Sequence, residues 1–227
     1  MHRDTAPTGT LTAPSVRLAE ILTRSDDTSL GALREELEQL YAQITDLQTL
    51  VERDALTGAY NRHGLERIEA QVMARRERFG IPVSALFIDI DRLKDLNRDY
   101  GHVATDAVLN AATKRLEDLS RPYDTLVRWG GDEFVLLLPE VGLQQAASIA
   151  DRICGHIGSE PFEIDDRAIP LSVSIGVADM REGEQVIDLV ERISGLMYEA
   201  KEGGRNQIAV FDGQRAPELP FADRKGG

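Results

Sequence analysis

Arg128-Trp129-Gly130-Gly131-Asp132-Glu133-Phe134, followed by Val135-Leu136-Leu137-Leu138-Pro139, is the stretch whose reading decides the rest of the chain. Leu126 and Val127 precede it and Phe134 to Leu138 follow, so it reads as two strands joined by a tight turn. Two adjacent glycines are able to take positive φ and leave room for a ligand to approach the backbone. Two carboxylates come directly after them, at the tip. Acidic pairs on rigid strands beside glycines are what a divalent metal carrying a nucleoside triphosphate requires. A solvated Gly-Gly-Asp hairpin turn is the competing reading of the pentapeptide alone.

Working outward, Pro82 to Ile90 is a near-continuous apolar run, as expected of a central strand covered on both faces. It ends in Asp89-Ile90-Asp91. With a period of two, Asp89 and Asp91 share a face and Ile90 points the other way. Carboxylates at the end of a buried strand are costly unless a metal or hydrogen bond satisfies them, so they read as ligands rather than decoration. A helix ending near Phe79-Gly80 precedes this strand, with Asn61 as its cap and Leu65, Ile68, Val72 and Met73 inward. After the strand come a short helical turn from Arg92 to Asn97, a break at Tyr100-Gly101-His102, and a helix from about Val103 to Leu119. Further helices are expected near Leu143–Ile157 and Val186–Lys201, with strands at Ile169–Ala178 and Gln207–Phe211. Helices alternating with strands, plus one hairpin, specify an α/β fold with a central mixed sheet flanked by helices.

Ahead of this domain, Leu30, Leu33, Leu37, Leu40, Ile44, Leu47 and Val51 alternate spacings of three and four. That is a heptad seam, and it predicts a parallel two-stranded coiled coil; a single helix packed on the domain is the alternative. A short helix is also expected over Ser15–Arg24, then a polar break at Ser25–Ser29. The expected organisation is a flexible segment over 1–29, a coiled-coil dimerisation helix over 30–53, a globular domain over 54–212 and a flexible tail over 213–227. The 227 residues carry a net charge of −13, which argues against nucleic-acid or anionic-membrane binding. The single cysteine, Cys154, excludes an intrachain disulfide framework and fits a reducing cytoplasm. No signal segment or membrane-length apolar run is evident, so a soluble, cytoplasmic protein is expected.

Several blocks in order carry a resemblance. They are Asp54-Ala55-Leu56-Thr57-Gly58 with Asn61-Arg62; Asp89-Ile90-Asp91 with Lys94, Asn97, Gly101-His102 and Asp106; and Gly130-Gly131-Asp132-Glu133-Phe134. Val173-Ser174-Ile175-Gly176-Val177 follows, then Tyr198 with Ala200-Lys201 and Gly204-Arg205-Asn206. Over about Asp54 to Phe211 the chain resembles the GGDEF family of diguanylate cyclases. The resemblance implies a palm-like nucleotidyl-cyclase fold and condensation of two GTP molecules to cyclic di-GMP with release of pyrophosphate. The chain departs from the family's usual residues at Leu93, Thr105, Trp129, Ser194 and Leu196.

By that resemblance Asp89, the Ile90 carbonyl and Asp132 hold Mg²⁺ (Mn²⁺ being the alternative), with Glu133 assisting. Asp132 is also the candidate acceptor of the 3′-hydroxyl proton, an assignment left open between it and Glu133. Gly130 and Gly131 let phosphates lie against the turn. Lys94, Lys201 and Arg205 meet phosphate charge, with Lys94 stabilising the transition state. Asn97 and Asp106 select guanine, since a carboxylate accepts from its N1–H and 2-amino group; His102 is a further contact. Arg121-Pro122-Tyr123-Asp124 looks like the family's inhibitory product-binding motif, with Arg121 and Asp124 gripping cyclic di-GMP. A homodimer through the coiled coil would bring two GTP-loaded sites together. The alternatives are a catalytically silent cyclic di-GMP receptor and a coiled-coil scaffold.

Overall fold

The computed structural model describes residues 27–164 and 167–211. The short helix expected over Ser15–Arg24 and the tail beyond Asp212 lie outside the described residues. The chain divides at Val51/Glu52 into two compact units. The first contains all but the last residue of helix α1 (Asp27–Glu52), which begins inside the expected polar break. Along α1 the seam residues Leu37, Ile44 and Val51 are exposed. No helix among the described residues is long and apolar enough to cross a membrane.

The second unit is built on a five-stranded sheet of order β2-β3-β1-β6-β7. Its strands are β1 (Val83–Ile90), β2 (Thr125–Gly130), β3 (Glu133–Pro139), β6 (Val173–Asp179) and β7 (Gln207–Val210). The helices are α2 (Arg62–Phe79), α3 (Leu93–Asp118), α4 (Leu143–Ser159) and α5 (Val186–Glu202). β1 lies in the centre, antiparallel to β3 and β6, and every residue of it is buried. Its apolar side chains alternate between two cores. Leu86, Ile88 and Ile90 pack with α3 and α4, whereas Val83, Ala85 and Phe87 pack with α2 and α5. This alternation turns an unbroken apolar run into the middle layer of a three-layer sandwich.

β6 and β7 are parallel, and α5 makes the connection between them. A Cβ on Gly176 of β6 would collide with the Ile193 carbonyl of α5, so glycine is required for the helix to lie this close. Asn61 accepts from Gly64 N–H at 3.0 Å and caps α2, as expected. Gly80 closes that helix in the left-handed conformation, φ 62°.

Two features depart from expectation. A small hairpin of β4 (Phe162–Ile164) and β5 (Arg167–Ile169) stands outside the main sheet, its Phe162 and Ile169 buried against the α3/α4 core. The strand expected over Ile169–Ala178 is therefore split: β5 ends at Ile169, Pro170 intervenes, and β6 begins at Val173. Proline supplies no ladder donor, which explains the break.

Candidate active site

The acidic corner is assembled where β1 ends beside the β2–β3 turn. Asp89 sits opposite Glu133 in the antiparallel register, so the two side chains leave the same face. The Ile90 N–H donates to the Asp132 carbonyl at 3.1 Å, tying the end of β1 to the tip of the hairpin. Asp89 is 2 % exposed. Its Oδ2 accepts from Lys201 Nζ at 2.6 Å, while Oδ1 is buried with no hydrogen-bond partner among the described residues. Burial pushes the Asp89 carboxyl up to about 7; the Lys201 ammonium opposes the rise, and the charges of Asp132 and Glu133 add to it. An orphaned carboxylate oxygen beside a second carboxylate and a backbone carbonyl is an all-oxygen donor set, which suits a hard divalent cation. Among the described residues, no group of three or more His, Cys, Asp or Glu side chains is gathered to hold a metal. The expected carboxylates Asp89, Asp132 and Glu133 are therefore not drawn together as a three-carboxylate cage.

Asp91 shares the face but is no ligand in this arrangement, because Ser172, Ser174 and Asn206 occupy both its oxygens. The hairpin glycines also differ from expectation: neither Gly130 nor Gly131 has positive φ. The turn tightens instead through a bulge between Arg128 and Gly130. Space is what the glycines provide. A Cβ on Gly130 would meet Glu133 Oε2 at 3.4 Å, and one on Gly131 would meet nothing within 4 Å.

Two arginines fix the turn's peptide planes. Arg62 donates to the Trp129 carbonyl at 2.6 Å, its guanidinium 4.2 Å from the indole centroid. Arg128 donates to the Gly131 carbonyl at 3.1 and 2.8 Å and to Asp54 Oδ1 at 2.8 Å. In a planar trans peptide the N–H points opposite to the carbonyl. Anchoring these two carbonyls therefore orients the Gly130 and Asp132 N–H groups away from the arginines.

α3 carries the second cluster across a kink at Gly101, φ 81° and ψ 172°. Lys94, exposed, lies in the first turn; Asn97, half-buried, follows; His102 and Asp106, both exposed, come after the kink. Thr105 bridges the halves, donating to the Gly101 carbonyl at 3.0 Å and lying 3.5 Å from Asn97 Oδ1. The kink thus brings Asn97 next to the residue preceding Asp106. Lys201 occupies the last turn of α5, and Arg205, exposed, stands in the following turn at φ 66°.

The family model for "Diguanylate cyclase, GGDEF domain" matches residues 51–207. The chain belongs to this GGDEF family. It is 35% identical over 184 residues to the diguanylate cyclase VdcA of Vibrio cholerae, a match that covers 79% of this chain and 52% of that protein. It is 37% identical over 158 residues to the response regulator PleD of Caulobacter vibrioides, 68% of this chain and 35% of that one. The chain spans about half or less of the length of these relatives. Among solved structures, Pseudomonas aeruginosa diguanylate cyclase SiaD in complex with its activator SiaC has TM-score 0.70 and 28% identity, covering 88% of this chain and 76% of that one. The coiled coil and GGDEF domain of Caulobacter crescentus DgcB, in complex with c-di-GMP, has TM-score 0.74 at 24% identity, covering 83% of this chain and all of that one; it supports the fold.

In this GGDEF domain Arg121 and Asp124 lie apart from the acidic corner. They form a closed turn: the Arg121 N–H donates to Asp124 Oδ2 at 2.7 Å and the Asp124 N–H to the Arg121 carbonyl at 3.0 Å. Burial raises the Asp124 carboxyl, opposed by Arg121 and Arg152. Both residues line a cavity of about 720 Å³ with Tyr60, Arg75, Tyr123 and Glu140. Arg75, ion-paired to Glu140, and Arg152 were not singled out from the sequence. As surface arginines on helices they give no sequence signal, and only the fold brings them near Asp124.

Proposed function

We propose that the chain condenses two GTP molecules into cyclic di-GMP and two pyrophosphates. The observation that carries this reading is the buried Asp89 carboxylate, one oxygen held by Lys201 and the other left for a cation beside the hairpin acids. Asp89, the Ile90 carbonyl and Asp132, assisted by Glu133, would hold Mg²⁺ or Mn²⁺. When bound, such an ion neutralises charge on the triphosphate and on the departing pyrophosphate.

The chain's own groups then do the rest. Asn97 and Asp106 engage the guanine edge, aided by His102, so that adenine would leave the Asp106 carboxylate without its donor pair. Lys201 and Arg205 meet the phosphates, which rest against Gly130 and Gly131 where no Cβ intrudes. Asp132, or Glu133 beside it, accepts the proton of the 3′-hydroxyl as that oxygen attacks the α-phosphorus of the other GTP. Lys94 offsets charge growing on the transferred group. Most of the rate comes from this positioning and charge compensation.

The product closes only when two such sites meet head to tail, and the heptad seam of α1 supports a homodimer that supplies the second. Cyclic di-GMP would also bind as a feedback inhibitor at the Arg121/Asp124 cavity, where guanidinium groups face a guanine edge or phosphate. The deciding experiment incubates purified protein with GTP and Mg²⁺ and measures cyclic di-GMP and pyrophosphate. Formation of both supports the enzyme. Binding of cyclic di-GMP without its formation points to a receptor, and neither outcome to a scaffold.

A further inference from the structure

Asp91 follows the Ile90 carbonyl directly and is 5 % exposed, yet the chemistry above gives it no step. Its Oδ1 accepts from Ser174 Oγ at 2.8 Å. Its Oδ2 accepts from Ser172 Oγ at 2.6 Å and from the Asn206 backbone N–H at 3.1 Å. The Asp91 N–H in turn donates to the Ser172 carbonyl at 2.9 Å. One buried carboxylate therefore latches three segments: the end of β1, the approach to β6 and the turn leaving α5.

That turn is strained. Arg205 and Asn206 are consecutive non-glycine residues in the left-handed region, at φ 66° and 49°. Such a pair persists only where its surroundings hold it. The Arg205 N–H is held by the Ala200 carbonyl at 3.1 Å, and the Asn206 N–H by Asp91. The same stretch of chain is tied to β1 a second time, through Lys201 on Asp89. Adjacent acids on one strand face thus divide the work: Asp89 takes a side chain that meets phosphate, and Asp91 takes the backbone that aims one.

We propose that Asp91 is a positioning residue that sets the turn carrying Arg205, and with it the end of α5 carrying Lys201, against the triphosphate end of the substrate. This rests on the reading of Lys201 and Arg205 as phosphate contacts. A group acting there affects ligands in proportion to their distal phosphates and leaves guanine recognition at Asn97 and Asp106 alone. A group that merely supports the fold weakens every ligand alike.

The test uses the full chain with Mg²⁺ and two probes in titration calorimetry. One is the α,β-methylene analogue of GTP, which cannot release pyrophosphate; the other is GMP. In Asp91→Asn an amide replaces one acceptor oxygen, and affinity for the triphosphate analogue is expected to fall about tenfold with GMP affinity unchanged. The double variant Ser172→Ala/Ser174→Ala keeps the carboxylate and removes two of its donors; it should move the same ratio in the same direction by less. Should Asp91→Asn fail to fold, wild-type discrimination in the double serine variant overturns the proposal. So does retained discrimination in a folded Asp91→Asn, or parallel loss of both ligands. Wild-type protein that does not prefer the triphosphate overturns the phosphate assignment of Lys201 and Arg205, and this proposal with it, which keeps the two failures distinct.

Discussion

Asp89 is the centre of the proposed chemistry because it is a carboxylate at the end of a fully buried central strand. Lys201 compensates half of it and leaves Oδ1 without a partner among the described residues. Asp89→Asn removes the charge while nearly preserving shape. Product formation should then fall on the order of a hundredfold or more, since a preorganised electrostatic group is lost from the reacting centre. Cyclic di-GMP binding at the Arg121/Asp124 cavity should persist; equilibrium binding beside a turnover assay checks both. In the proposed reaction, guanine selection would rest on Asp106. Asp106→Ala should narrow the preference for GTP over ATP by roughly ten- to a hundredfold, the value of about 1–3 kcal/mol for a lost pair of hydrogen bonds. Competition between the two nucleotides in the same assay reads that ratio directly.

The β2–β3 hairpin is shaped by elements far from it in sequence. Asp54, just after α1, accepts from Thr57 Oγ1 at 2.7 Å and from Arg128, which in turn grips the Gly131 carbonyl. Burial works to raise the Asp54 carboxyl, but the bonds from Arg128 and Thr57 win and hold it below its usual 3.8. Its pairing therefore contributes fully above the unfolded carboxyl's titration and is lost as pH falls through the lower, folded value. Asp54→Ala should cost about 2 kcal/mol near pH 7, and the cost should shrink progressively as pH falls below 3.8 toward the lower, folded titration, measured by denaturant unfolding across a pH series. It should lower turnover as well, because the turn's peptide planes lose an anchor. The meeting of Asp89 with the hairpin acids was implied only by the family resemblance, whereas the hairpin and β1 were legible in the sequence from an apolar run and turn residues. The anchors were not: Arg62 on Trp129 and Arg128 on Gly131 are tertiary contacts without periodicity. Nor was the β4–β5 hairpin, whose three-residue strands are too short to show a period of two. The two hairpin glycines do not use the positive φ open to them, since a bulge gives the turn its tightness.

At the scale of the molecule, one globular unit offers one acidic corner, while a cyclic dinucleotide needs two activated nucleotides facing each other. In the proposed homodimer the heptad seam would provide the means. Leu37, Ile44 and Val51 are 42, 50 and 54 % exposed, a row of apolar side chains that a second copy of α1 would cover. Covering them gains roughly 25 cal/mol per Å² of apolar surface, and the a/d spacing directs that gain into a parallel pair. A proline inside α1 removes a helical hydrogen bond and clashes with the preceding turn, at about 3 kcal/mol or more. Leu40→Pro should therefore disrupt pairing without altering the nucleotide corner, which belongs to the other compact unit. Sedimentation should show the variant as monomer at concentrations where the wild type is dimeric, with GTP affinity per chain unchanged. Its specific activity should fall at least tenfold at micromolar protein and rise with protein concentration, because the second half-site is no longer held at an effective concentration on the order of millimolar. A monomeric variant with undiminished, concentration-independent turnover would mean that α1 serves some purpose other than bringing two sites together.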